Sequence, residues 1–103
     1  IYKRHRFWNK TQELSRLPSE YFYDNVWLTF QDDWTAFSML DLMDADQIMW
    51  ANDFPHSDST WPLSQELLDE HTAGLTDHQK RRILRDNCVD LYGLDAPMQP
   101  PDA

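Results

Sequence analysis

Asp53 and His56 are three residues apart in the stretch Trp50-Ala51-Asn52-Asp53-Phe54-Pro55-His56-Ser57-Asp58-Ser59-Thr60-Trp61, just after the apolar run 47–51. A carboxylate and an imidazole at that spacing can share a proton, ligate a cation or orient one another. Pro55 between them restricts the backbone and so limits how far their spacing can vary. Position alone leaves two readings open. One is a polar loop closing a buried strand, since Asp is a common turn residue. The other is a catalytic or metal-binding carboxylate at the mouth of a parallel α/β structure, where strand ends fix side chains and loops leave them open.

The elements that must position this pair follow from the hydrophobic pattern. Residues 2–14 read as a weak amphipathic helix around Tyr2, Phe7, Trp8 and Leu14, interrupted at Leu17-Pro18-Ser19. Residues 24–31 carry bulky or β-branched groups on both faces, the pattern of a strand buried on two sides. Asp32 and Asp33 are expected to cap a helix in which Trp34, Phe37, Leu40 and Met43 recur at helical spacing. The run 47–51 is a second strand after the turn Asp44-Ala45-Asp46. Ser59 or Thr60 then caps a helix with Pro62 in its first turn, in which Leu63, Leu67 and Leu68 face inward and which Gly74 ends. Thr76-Asp77-His78-Gln79 fits a capping box, Ile83, Leu84, Cys88 and Leu91 form its buried stripe, and Gly93 is the stop.

Strands alternating with helices imply parallel pairing through helical crossovers. Two such strands cannot cover several amphipathic helices and five tryptophans. A barrel of eight such units takes about 250 residues, so the 103 residues correspond to its last quarter or third. Ile1 is expected to lie inside a longer protein, and the run 95–103 reads as a proline-rich C-terminal tail.

Composition narrows the partners. Eighteen acidic against nine basic residues give a net charge of −9, which phosphate backbones repel, so no nucleic acid is expected. Lys3-Arg4-His5-Arg6 is too short a basic run to change that. No apolar stretch approaches the roughly 18–20 residues of a membrane span, so no membrane is expected. The single Cys88 excludes an intrachain disulfide and fits a reducing, cytoplasmic location, with the thiol as core filler. Trp50 and Trp61 are expected to pack in the core and the loop.

The run 48–56 and its continuation Ser57–Ser64 resemble the C-terminal part of the amidohydrolase-related (amidohydrolase 2) family. So do Pro18-Ser19-Glu20-Tyr21-Phe22, residues 26–33, Arg82–Asn87 and Leu91-Tyr92-Gly93-Leu94. The resemblance covers nearly everything outside the tail and implies the C-terminal portion of a (β/α)8 TIM barrel over residues 1–94. It implies that 24–31 and 47–52 are barrel strands seven and eight. Asp53 then matches the aspartate that binds a divalent metal, zinc being the expected one, and that handles the proton of the attacking water. His56 matches a catalytic position whose role varies.

The implied reaction is hydrolysis of an amide, ester or lactone carbonyl of a small-molecule substrate. Non-oxidative decarboxylation of an aromatic or unsaturated carboxylic acid in the same fold is the alternative, and a non-catalytic structural or protein-binding module is the rival from another class. The family's histidines on earlier strands have no counterpart here. His5, His71 and His78 lie on other elements, whereas zinc needs three or four converging groups. The chain is therefore expected to be inactive alone and to need the remainder of its own barrel. Self-association into a homo-oligomer stays open.

Overall fold

A computed structural model describes residues 14–96 of the chain. The proposed helix at 2–14 lies almost wholly outside these residues, as does most of the proline-rich tail.

The first element among the described residues is a helix, α1 (Pro18–Asn25), where the sequence suggested an interruption and then a strand from residue 24. Pro18 is in its first turn, where a missing amide proton costs little. The Glu20 carboxylate reaches back to accept from the Leu17 amide at 2.6 Å. The strand β1 (Leu28–Phe30) is thus shorter than the expected 24–31, and Asp24 and Asn25 are its helical approach. Asp33 caps α2 (Trp34–Ser38) by accepting from the Thr35 amide at 3.0 Å. The helical spacing through residue 43 continues only as turns, with the Leu42 and Met43 amides both donating to the Met39 carbonyl.

A 3-10 turn at Ala45–Gln47 feeds β2 (Ile48–Trp50). The strands are parallel, with Leu28 opposite Ile48, Thr29 opposite Met49 and Phe30 opposite Trp50. Parallel pairing is thus as expected, while the two-sided burial differs between strands. Ile48 and Met49 are buried, whereas Leu28 and Thr29 are exposed.

Helix α3 (Ser64–His71) starts at Leu63 without a side-chain cap. The Thr60 hydroxyl instead pairs with Ser64 Oγ at 2.8 Å. Leu63 is exposed, so of the three leucines expected inside only Leu67 and Leu68 are partly covered. The chain leaves this helix at Thr72, before Gly74.

The capping box at α4 (Asp77–Arg81) forms as expected: the Gln79 amide donates to Thr76 Oγ1 at 3.1 Å, and Gln79 Oε1 accepts from the Thr76 amide at 3.0 Å. The helix then passes through a π turn at Arg82–Asp86 into α5 (Asn87–Tyr92), and Gly93 closes it at φ 61°. One extra residue in a turn rotates the following face by roughly 100°. The expected stripe is shifted accordingly. Ile83 and Asn87 are buried, Leu84 and Leu91 are exposed, and Cys88 is half-buried.

The core gathers Phe37, Ile48 and Ile83, with Phe30, Leu40, Met43, Trp50 and Leu68 packed around them. Phe30 meets Phe37 edge-on at 4.9 Å between ring centroids, a favoured aromatic geometry. Two buried amides tie the elements at the start of β2. Gln47 Nε2 lies within donating distance of the Phe22, Tyr23 and Val26 carbonyls, and Asn87 Nδ2 donates to those of Ala45 and Ile48. No helix among the described residues is long and apolar enough to cross a membrane.

Candidate active site at the end of the second strand

Beyond Trp50 the ladder makes one more bond, from the Ala51 amide to the Phe30 carbonyl at 3.0 Å. The chain then turns at Asp53, whose φ of 58° is in the left-handed region that non-glycine residues occupy at a cost. Two features favour the turn. Asn52 Oδ1 accepts from the Phe54 amide at 3.1 Å, and the Asp53 carbonyl accepts from the His56 amide at 2.8 Å. The Phe54–Pro55 and Trp61–Pro62 peptide bonds are cis.

This corner brings Asp53 and His56 together. His56 Nδ1 is 3.3 Å from Asp53 Oδ2, and both side chains are more than half exposed. The Asp58 amide also points at Nδ1, at 3.2 Å. Donation from that amide makes Nδ1 an acceptor and puts the neutral ring's proton on Nε2. Solvent exposure keeps any Coulombic interaction between the two side chains modest.

The rest of the loop is braced from below. Ser59 Oγ donates to the Asn52 carbonyl at 2.6 Å and accepts from the Trp61 amide at 3.1 Å. Gln31, at the end of β1, donates its side-chain amide to the Asp58 carbonyl, and its own carbonyl accepts from Trp50 Nε1 at 2.9 Å. The segments that follow the two strands are thus pinned to one another. Sequence reasoning did not assign Asn52, Ser59 or Gln31 this role. Their signal was only that Asn and Ser favour side-chain to backbone bonds in turns.

The other residues weighed for chemistry are elsewhere. His71 lies at the end of α3, its ring 6.1 Å from that of Phe37, and His78 is on α4. Asp33 is occupied as a cap, while Asp32 lines a cleft of about 750 Å³ with Gln31, Asp58 and Trp61. Trp50 packs against the core, but Trp61 is 59% exposed and meets Phe54 edge-on at 5.3 Å. His5 is outside the described residues. Among the described residues, no group of three or more His, Cys, Asp or Glu side chains converges as a metal cage would require. The donor set therefore fits one ligand position: the exposed Asp53 carboxylate suits a divalent cation, and His56 Nδ1 is already engaged.

A parallel strand pair joined by a helical crossover is compatible with a partial α/β fold. The chain belongs to the amidohydrolase family, whose family model matches residues 1–94. Membership supports a hydrolase-type function in general terms for the full-length protein, and the barrel is what the family implies for the two strands seen here. Members of this family generally bind divalent metals. No curated protein matches the chain.

Proposed function

We propose that this chain supplies one wall of the active site of a metal-dependent hydrolase acting on amide, ester or lactone carbonyls. The observation that carries the reading is the Asp53–His56 corner, a carboxylate in a left-handed turn at a strand's C-terminal end, 3.3 Å from an imidazole nitrogen. Active-site residues of barrel enzymes gather at that end. The remainder of the barrel completes the site, continuing the sheet beyond β1 and β2.

Asp53 and groups outside the described residues would hold a divalent cation, zinc in this reading, which when bound supplies Lewis acidity and makes water a better nucleophile. Asp53 accepts the proton of the attacking water as its oxygen bonds to the carbonyl carbon. It returns that proton to the leaving nitrogen or oxygen as the scissile bond breaks. His56, with its ring 3.3 Å from Asp53 Oδ2, limits the positions the carboxylate can take.

The test is Asp53→Asn in the full-length protein, which keeps the side-chain shape and the tolerance for a left-handed turn but removes the base. Hydrolysis of a responsive ester is expected to fall at least about 100-fold, within the range general acid–base catalysis supplies, with metal content reduced. Activity and metal content near wild type would remove Asp53 from the site.

A further inference from the structure

The Asp53 corner is tied to the core through a residue of the neighbouring strand's exit. Gln31 directly follows β1 and is half-buried. Its carbonyl accepts from Trp50 Nε1 at 2.9 Å, and Trp50 packs against the core. Its side-chain amide donates to the carbonyl of Asp58. Gln31 thus joins the paired strands to a loop whose tip is exposed.

Asp58 passes that anchor on in two directions. Its carbonyl and amide flank one α-carbon, so holding the carbonyl restricts the amide, which points at His56 Nδ1 at 3.2 Å. Nδ1 is in turn 3.3 Å from Asp53 Oδ2. The held carbonyl also belongs to the peptide unit leading into Ser59, whose Oγ donates to the Asn52 carbonyl at 2.6 Å. That carbonyl lies in the peptide unit before Asp53, and a φ of 58° there persists only where the surroundings hold it. Both branches end on Asp53, one at its side chain and one at its backbone.

We propose that Gln31 is a positioning residue for the hydrolysis. By holding Asp58 it fixes which nitrogen of His56 accepts a hydrogen bond, and it fixes where the Asp53 carboxylate points. This rests on the hydrolase reading and deepens it, because it makes a residue of the other strand necessary for full turnover. Gln31 acts through Asp58 and not on the reacting atoms, so its loss should slow turnover more than it weakens substrate binding.

Two variants of the full-length protein test this, with para-nitrophenyl acetate as the probe. Gln31→Met keeps the side-chain length, adds no charge and removes the donor. Its kcat is expected to fall about 10-fold, the low end of what partners orienting a site residue supply, with KM nearly unchanged. Gln31→Lys restores a donor, in a cleft also lined by Asp32 and Asp33 that suits an ammonium, and should recover most of the rate. A packing role would give the reverse order, because Met matches the shape of Gln better. Circular dichroism checks that both variants are folded. Nitrogen NMR of the His56 ring at about pH 8.5, where an ordinary histidine is neutral, is a readout apart from turnover. The proton should stay on Nε2 in wild type and Gln31→Lys, and distribute over both nitrogens in Gln31→Met.

A Gln31→Met protein with wild-type kcat, a loss that Gln31→Lys does not restore, or a His56 ring unchanged by Gln31→Met would each overturn the proposal. Asp53→Asn separates the two ideas. An inactive Asp53→Asn protein beside a fully active Gln31→Met protein would sink the positioning role alone. An active Asp53→Asn protein would sink the hydrolase reading, whatever Gln31 does.

Discussion

Asn87→Ala should cost far more stability than a helical asparagine ordinarily does. Asn87 is 1% exposed, and its Nδ2 donates to the Ala45 carbonyl at 2.6 Å and the Ile48 carbonyl at 2.8 Å. Those two carbonyls flank Gln47, so one side chain on α5 fixes the path by which the chain enters β2. Truncation to Ala strips the donor from both, and a buried group left unpaired costs about 1–3 kcal/mol. Part is recovered, because Asn87 Oδ1 has no partner among the described residues and its burial cost disappears with it. The expected net loss is about 2–4 kcal/mol. Asn87→Asp should be worse, since it replaces the donor with a carboxylate facing two carbonyl oxygens in a buried site. Urea unfolding of the full-length protein followed by circular dichroism reads both variants, provided the slope against denaturant is unchanged. An Asn87→Ala protein within about 0.5 kcal/mol of wild type, or an Asp variant no worse than Ala, would refute the anchoring role.

The left-handed turn at Asp53 predicts that Asp53→Gly is more stable than Asp53→Ala by about 1 kcal/mol, because only glycine adopts positive φ without steric cost. Thermal melts of the two variants measure the difference, and equal melting temperatures would mean the turn is unstrained. Arg82 donates to Asp46 at 2.8 Å and to Asp90 at 2.7 Å, and these contacts, led by the hydrogen bond it donates to Asp90, hold the guanidinium pKa above its ordinary value. Both acids are more than half exposed, so water screens the pairs. Arg82→Met should therefore cost under about 1 kcal/mol. A loss in added salt as large as in low salt would show that packing of the arginine stem, and not charge, is what matters.

How much of this could be read in the sequence depended on whether a residue's neighbours are near in the chain. The capping box at Thr76, the cap at Asp33 and the stop at Gly93 are local, and all three form as their residue types dictate. The strand at 48–50 and its parallel pairing were legible from apolar runs alternating with helical ones. Helix α1 was not, because Pro18 reads as a breaker until its place in the first turn is known, and the contact that matters is Glu20 reaching back to Leu17. The stripe on the last helix failed for a different reason. A π turn cannot be seen in apolar spacing, and it moved Asn87 into the buried row that leucines seemed to claim.

The contact between Asp53 and His56 was legible because three residues separate them. Asn52 and Ser59 brace their loop locally, but the tie to the other strand was hidden because it comes from tens of residues away. Gln31 reaches Asp58 across 27 positions and Asn87 reaches Ala45 across 42. These distant amides divide the labour along β2. Below the strand, the buried side chains of Gln47 and Asn87 donate to backbone carbonyls of neighbouring elements, so substitutions there should act on folding. Above it, Asn52, Ser59 and Gln31 hold a solvent-exposed corner in which little apolar area is buried. Substitutions there should leave stability nearly intact and act on where the carboxylate points. The same residue types, Asn and Gln, thus have opposite readouts at the two ends of a three-residue strand, and burial decides which.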